Sequence, residues 1–163
     1  MSQVAMPEFR YDFGNSGIDA DHSALAMILE ALEQVCDESA GADCRCDVCP
    51  EKKTRSCHGL LKDLCGRMQA LLLEHFQREH ELMNSLPRSQ TTKAHCERHR
   101  RAHVSFSTRY NLAAAKLNDC QPAIGARELE SLVLDWIRGH ALEFDAELSA
   151  LLNRPVGDRQ RRA

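Results

Sequence analysis

"LLKDLCGRMQALLLEHFQREHELMNSL", residues 60–86, decides the fold. Within it Leu61, Leu64, Met68, Leu71, His75, Glu79, Leu82 and Leu86 recur in steps of three and four, an almost unbroken heptad-like seam that Pro87 stops. That period belongs to an amphipathic helix, and this one carries two polar groups in the middle of its apolar face. A His and a Glu four residues apart stand one turn apart on the same face, so His75 and Glu79 point the same way.

Three more stretches repeat the pattern. The first reads His22, Leu25, Leu29, Leu32, Cys36. The third reads His99, His103, Phe106, Tyr110, Ala113, Leu117. The fourth opens near Pro122, a favoured first-turn residue, and reads Leu129, Val133, Trp136, His140, Phe144, Leu148, Leu151. Four helices with short second and third connections make antiparallel neighbours. Each apolar stripe carries a potential ligand, and Asp145 follows five residues after His140, about 140° round a helix of 3.6 residues per turn. His22, His75, Glu79, His99, His103, His140 and Asp145 are too many ligands for one tetrahedral ion, and imidazole with carboxylate suits iron, manganese or zinc. Two metals is the natural reading. Five histidines and two acids on converging stripes would be costly to bury without a partner for each. Spacing alone leaves one register open, because His95 shares a face with His99 and His103.

Composition narrows the remaining possibilities. At 163 residues the chain is long enough for one domain with its own core, taken as residues 1–153 followed by a polar, basic tail at 154–163. Acidic residues number 24 against 21 Lys plus Arg, so no broad basic field argues for nucleic acid, and Arg98 to Arg101 reads as a solvated helix face. No stretch approaches the roughly 18 apolar residues of a membrane span, and residues 1–15 lack a secretory apolar segment. A cytoplasmic location is the resulting expectation, in which the eight cysteines are mostly thiols.

Residues 39–58, "SAGADCRCDVCPEKKTRSCH", show no helical pattern and read as a Cys-rich insertion between the first two helices. Cys44, Cys46, Cys49 and Cys57 are spaced for a zinc site, with His58 as an alternative ligand and redox-active thiols as the second reading. Cys36, Cys65, Cys96 and Cys120 read as small apolar packing residues.

Four motifs, "IDADH" at 18–22, "HFQREHELM" at 75–83, "HRRAHVSF" at 99–106 and "WIRGHALEFD" at 136–145, stand in the order found in hemerythrins, which the chain resembles over nearly its whole length apart from 38–58 and the tail. The resemblance implies an all-α, up-down-up-down four-helix bundle. It also implies two iron ions, one on His99, His103 and His140 and the other on His22 and His75, with Glu79 and Asp145 bridging. In the family the third-helix pair is followed three residues later by Phe. Only His103, with Phe106, fits, so His95 is expected on the helix surface one turn before the metal layer. The second iron would keep an open position for O2. The function so implied is oxygen binding, storage or sensing without enzymatic turnover. The rivals are a redox sensor using the cysteine loop and an unnamed signalling partner, or an enzyme acting on peroxide or nitric oxide. Two positions depart from the family: Asp21 stands where Gln is usual, and Arg138 where an apolar residue often lines the oxygen pocket.

Overall fold

The computed structural model describes residues 13–37, 50–118 and 122–154, leaving out the side chains of residues 36, 37, 52, 53, 118 and 122–124. Helix α1, Ser16–Asp37, follows Gly14, whose φ of 78° suits glycine. Asn15 caps it, its Oδ1 accepting from the backbone N–H of Gly17 at 3.2 Å and of Ile18 at 3.3 Å. Helix α2, Glu51–Ser85, ends where Leu86 turns extended before Pro87, the conformation a following proline favours. A reciprocal Ser89–Thr92 capping box then starts α3, Gln90–Ala115, which tightens into a 3-10 turn at Lys116–Asn118. Helix α4, Pro122–His140, passes without a break through a π turn, Ala141–Asp145, into α5, Ala146–Leu152. The fourth rod of the bundle is therefore α4, the π turn and α5 together.

α1 packs chiefly on α2 and α3 on α4, giving the all-α four-helix bundle. Its core is split in two. The larger cluster takes Leu25 to Leu32 of α1, Leu61 to Leu72 of α2, Phe106 to Leu117 along α3 and its 3-10 turn, and Ala126 to Ile137 of α4. The smaller takes Ile18, Met83, Leu86, Cys96, Leu148 and Leu151. On α1 the larger cluster follows His22 in sequence, on α2 it precedes His75, on α3 it follows His103, and on α4 it precedes His140. That alternation is what antiparallel neighbours produce, and it leaves the polar side chains as a layer between two apolar blocks. Tyr110 ties α3 to α2 by donating its hydroxyl to the Cys65 carbonyl at 2.9 Å.

Two expectations along α2 change. Leu72 and Met83 are buried while Leu71 and Leu82 are only half-buried, so at these two turns the buried stripe lies one residue further along the helix. The helix also begins at Glu51, so Cys57 and His58 lie on its early turns rather than in a loop. Those turns carry no apolar stripe to betray them, being largely exposed through Leu60. His58 Nε2–H donates to the Leu117 carbonyl at 2.6 Å, which leaves Nδ1 as its only nitrogen for a metal. Cys44, Cys46, Cys49 and Cys120 lie outside the described residues. Cys65 and Cys96 are buried as the packing reading expected, and burial pushes the Cys65 thiol up to about 11.

Candidate metal centre

The structure brings all seven sequence-derived ligands into that one buried layer, with none more than 8 % exposed. Three imidazoles converge on one side. His140 Nε2 lies 2.9 Å from His99 Nε2 and 3.0 Å from His103 Nε2. Glu79 Oε2 closes in at 3.0 Å from His103 and 3.3 Å from His99, and Asp145 Oδ1 at 3.1 Å from His140 and 3.4 Å from His99. Two imidazoles occupy the other side, with His22 Nε2 2.9 Å from Asp145 Oδ2 and His75 Nε2 3.3 Å from Glu79 Oε2. Asp145 thus turns one oxygen to each group of histidines, and Glu79 presents Oε2 to both.

Asp145 reaches this position because of the π turn. In an α-helix a residue five after His140 faces about 140° away. Here the Ala146 N–H bonds back to the Ala141 carbonyl, five residues earlier, so the turn holds one extra residue. His140 and Asp145 therefore share a face at 3.1 Å, and the oblique approach expected from sequence is replaced by a stacked one.

The residues fit a pair of metal ions on three grounds. A ring nitrogen about 3 Å from two others cannot satisfy both with its own proton, because a neutral imidazole carries one N–H. Ligand atoms about 2.1 Å from a first-row ion lie about 3.0 Å apart in octahedral coordination, close to the spacings of His140 Nε2 from the His99 and His103 nitrogens. Glu79 Oε1 and His99 Nδ1 are also buried without a hydrogen bond, and each such group costs about 1–3 kcal/mol unless something else engages it. Two overlapping ligand groups meet the requirement of mutual closeness: Glu79 with His99, His103 and His140, and Glu79 with His75, His140 and Asp145.

Protonation follows the same lines. Burial would raise Asp145, yet hydrogen bonds from His140, His22 and His99 hold it well below the usual carboxylate range. Burial pushes Glu79 well up. Burial and the neighbouring imidazoles push His103 down to about 2, and burial likewise lowers His75. Burial opposes the charge on His140, but its bonds to Asp145 and Glu79 win and raise it. His103 and His75 are thereby kept in the neutral form that a metal needs.

An aromatic shell covers the layer. Phe76 stacks on His103 at 3.9 Å between ring centroids, Trp136 stacks on His140 at 4.6 Å, and Phe106 meets Trp136 at 4.7 Å. Phe144 tilts against both His99 and His140, at 5.2 and 5.1 Å. Met83 lies outside this shell, in the smaller apolar cluster.

A comparison with family models finds a match to the hemerythrin HHE cation-binding domain over residues 14–152. The chain belongs to the hemerythrin family. Neither a curated protein nor a solved structure gave a match. Membership of this metal-binding family agrees with the geometry and with the order of the four motifs.

Three other histidines of this hemerythrin resolve differently. His80 is exposed and meets Arg100 at 3.4 Å. His95 is a correction: it is fully buried, not on the surface, with Nδ1 3.0 Å from Glu147 Oε2 and its ring 5.3 Å from that of His99. It lies on the α3 stripe as spacing allowed, but faces α5 outside the ligand layer. His58 is the third, held by Leu117. Sequence reading missed the pair Asp21–Arg78, where Arg78 Nε donates to Asp21 Oδ2 at 2.9 Å while the same oxygen lies 3.4 Å from His75 Nδ1. The available signal was an acid directly before one ligand and an arginine three residues after another. Arg138 is half-buried on α4.

Proposed function

We propose that this protein is a non-haem di-iron protein that binds O2 for storage, carriage or sensing, and that it is not an enzyme. His99, His103 and His140 would hold one iron, His22 and His75 the other, and Glu79 and Asp145 both. The supporting observation is the unequal division, three imidazoles against two across two shared carboxylates. With the same bridges, the two-histidine side has one protein ligand fewer and so more room for an exogenous molecule. A ferrous pair supplies the electrons on which reversible O2 binding draws.

The rest of the chain's part is exclusion and positioning. Phe76, Trp136, Phe106 and Phe144 keep bulk water from the ligand layer, which favours release of an unreduced ligand over leakage of protons to it. A cavity of about 60 Å³ is lined by Leu72, Leu73, Phe76, Phe106 and Tyr110 together with the polar Gln69, Ser107 and Asn111. Its size suits a small molecule. Among the described residues no helix is long and apolar enough to cross a membrane. The zinc proposed for Cys44, Cys46, Cys49 and Cys57 is supported by their spacing, and Cys57 sits half-buried near the start of α2.

The test is an optical spectrum of the iron-loaded, anaerobically reduced protein before air, after air and after removal of O2. A visible band that appears with air and vanishes on deoxygenation is expected. Irreversible oxidation with no such band would overturn the reading in favour of a redox or peroxide-handling centre.

A further inference from the structure

Among the described residues, Asp21 is an acid beside the centre that belongs to neither bridge. It is 7 % exposed, and its Oδ2 lies 3.4 Å from His75 Nδ1, the ring nitrogen turned away from the bridging carboxylates. Arg78 grips the same carboxylate with Nε at 2.9 Å and Nη2 at 3.5 Å, the forked geometry that fixes orientation as well as charge. Arg78 reaches it across the first turn of α1 because residue 17 is glycine. A Cβ there would meet Arg78 Cδ at 3.0 Å and Nε at 3.4 Å. The arrangement runs from Gly17 through Arg78 and Asp21 to one metal-facing ring.

We propose that Asp21, anchored by Arg78, is a positioning residue for His75 and sets the metal affinity of the two-histidine half of the centre separately from the three-histidine half. The proposal rests on the two-metal reading above. An acceptor at Nδ1 fixes the tautomer, keeps the Nε2 lone pair free for a metal and increases its donor strength, which is how outer partners of ligating histidines act. A carboxylate does this more strongly than a neutral acceptor, and Arg78 prevents it from swinging inward to ligate.

The experiment titrates Co2+ into the metal-free protein under argon, following visible absorption and calorimetric heat, for the wild type and three variants. Two equivalents are expected for the wild type. Asp21→Ala should weaken one of them by about ten- to a hundredfold, the range for loss of such a partner, and leave the other unchanged. Asp21→Asn, which keeps an acceptor oxygen, should recover most of that loss. Gly17→Ala, which removes no polar group but crowds Arg78, should weaken the same equivalent to a smaller degree. Parallel weakening of both equivalents, no change in either, or an Asn variant no better than Ala would overturn the proposal. Should Asp21→Ala fail to fold, Gly17→Ala still decides it, because a selective weakening of one equivalent is required of it. A wild type that takes up a single ion would instead sink the two-metal reading itself.

Discussion

Deleting Leu142 should be tolerated, whereas inserting one alanine after it should not. The π turn at Ala141–Asp145 carries one residue more than an α-helix would use between His140 and Asp145. At about 100° per residue, Asp145 in an unbroken α-helix would face 140° from His140. Removing one residue lets the rod relax to α geometry with the acid four positions on, about 40° away, still on the ligand face. Leu142 is 69 % exposed, so the deletion removes little packing and should change stability by about 1 kcal/mol or less. Insertion turns everything downstream by about a further 100°. Asp145 then leaves the layer, and Leu148, fully buried, and Leu151, 5 % exposed, leave the smaller cluster. Loss of one such leucine from a core costs about 2–5 kcal/mol, before the bridge is counted. Bound metal per chain and thermal unfolding of the metal-free protein report the two effects separately. A deletion variant that loses its metal beside an insertion variant that keeps it would refute the reasoning.

Three other outcomes are expected. His103 is pushed down to about 2 and so stays neutral in the folded state, while its unfolded counterpart titrates near 6.5. Its contribution to the stability of the metal-free protein is fully present above about pH 6.5 and is lost as the pH falls towards about 2. Glu79 and His140, both raised, act in the opposite sense, so the check is urea unfolding of His103→Asn against wild type, with a weaker acid dependence expected in the variant. Tyr110→Phe removes the hydroxyl that donates to the Cys65 carbonyl and should lower unfolding free energy by about 1 kcal/mol with bound iron unchanged. Replacing Cys46 and Cys49 together by Ser should abolish any metal held by thiolates yet preserve the iron spectrum, because the seven ligands come from the four rods of the bundle. Loss of iron in that variant would show that the insertion shapes the centre.

The helices and the layer of candidate ligands were legible because periodicity and ligand chemistry coincide on the same stripes. His99, His103, Phe106, Tyr110, Ala113 and Leu117 are all buried, as the α3 pattern required. What escaped depended on geometry that a fixed helical period cannot express. Asp145 looked oblique because a π turn has no clear sequence mark, and its five-residue spacing from His140 was the sole hint. His95 looked superficial because burial outside the ligand layer is decided by what packs opposite it, here Phe144 and Glu147 from the end of the fourth rod. The first turns of α2 looked irregular because an exposed helix needs no apolar stripe. Asp21 and Arg78 are 57 residues apart, and only the packing of α1 on α2 reveals their pairing.

Mössbauer spectroscopy of the fully iron-loaded protein tests the central claim most directly. Two irons in unequal ligand sets, sharing Glu79 and Asp145, should give two quadrupole doublets of equal area. The oxidised state should be diamagnetic at low temperature, because bridged ferric ions couple antiferromagnetically. A single doublet from one iron per chain, or a magnetically split spectrum of isolated ferric ions, would contradict a bridged pair held by these seven residues.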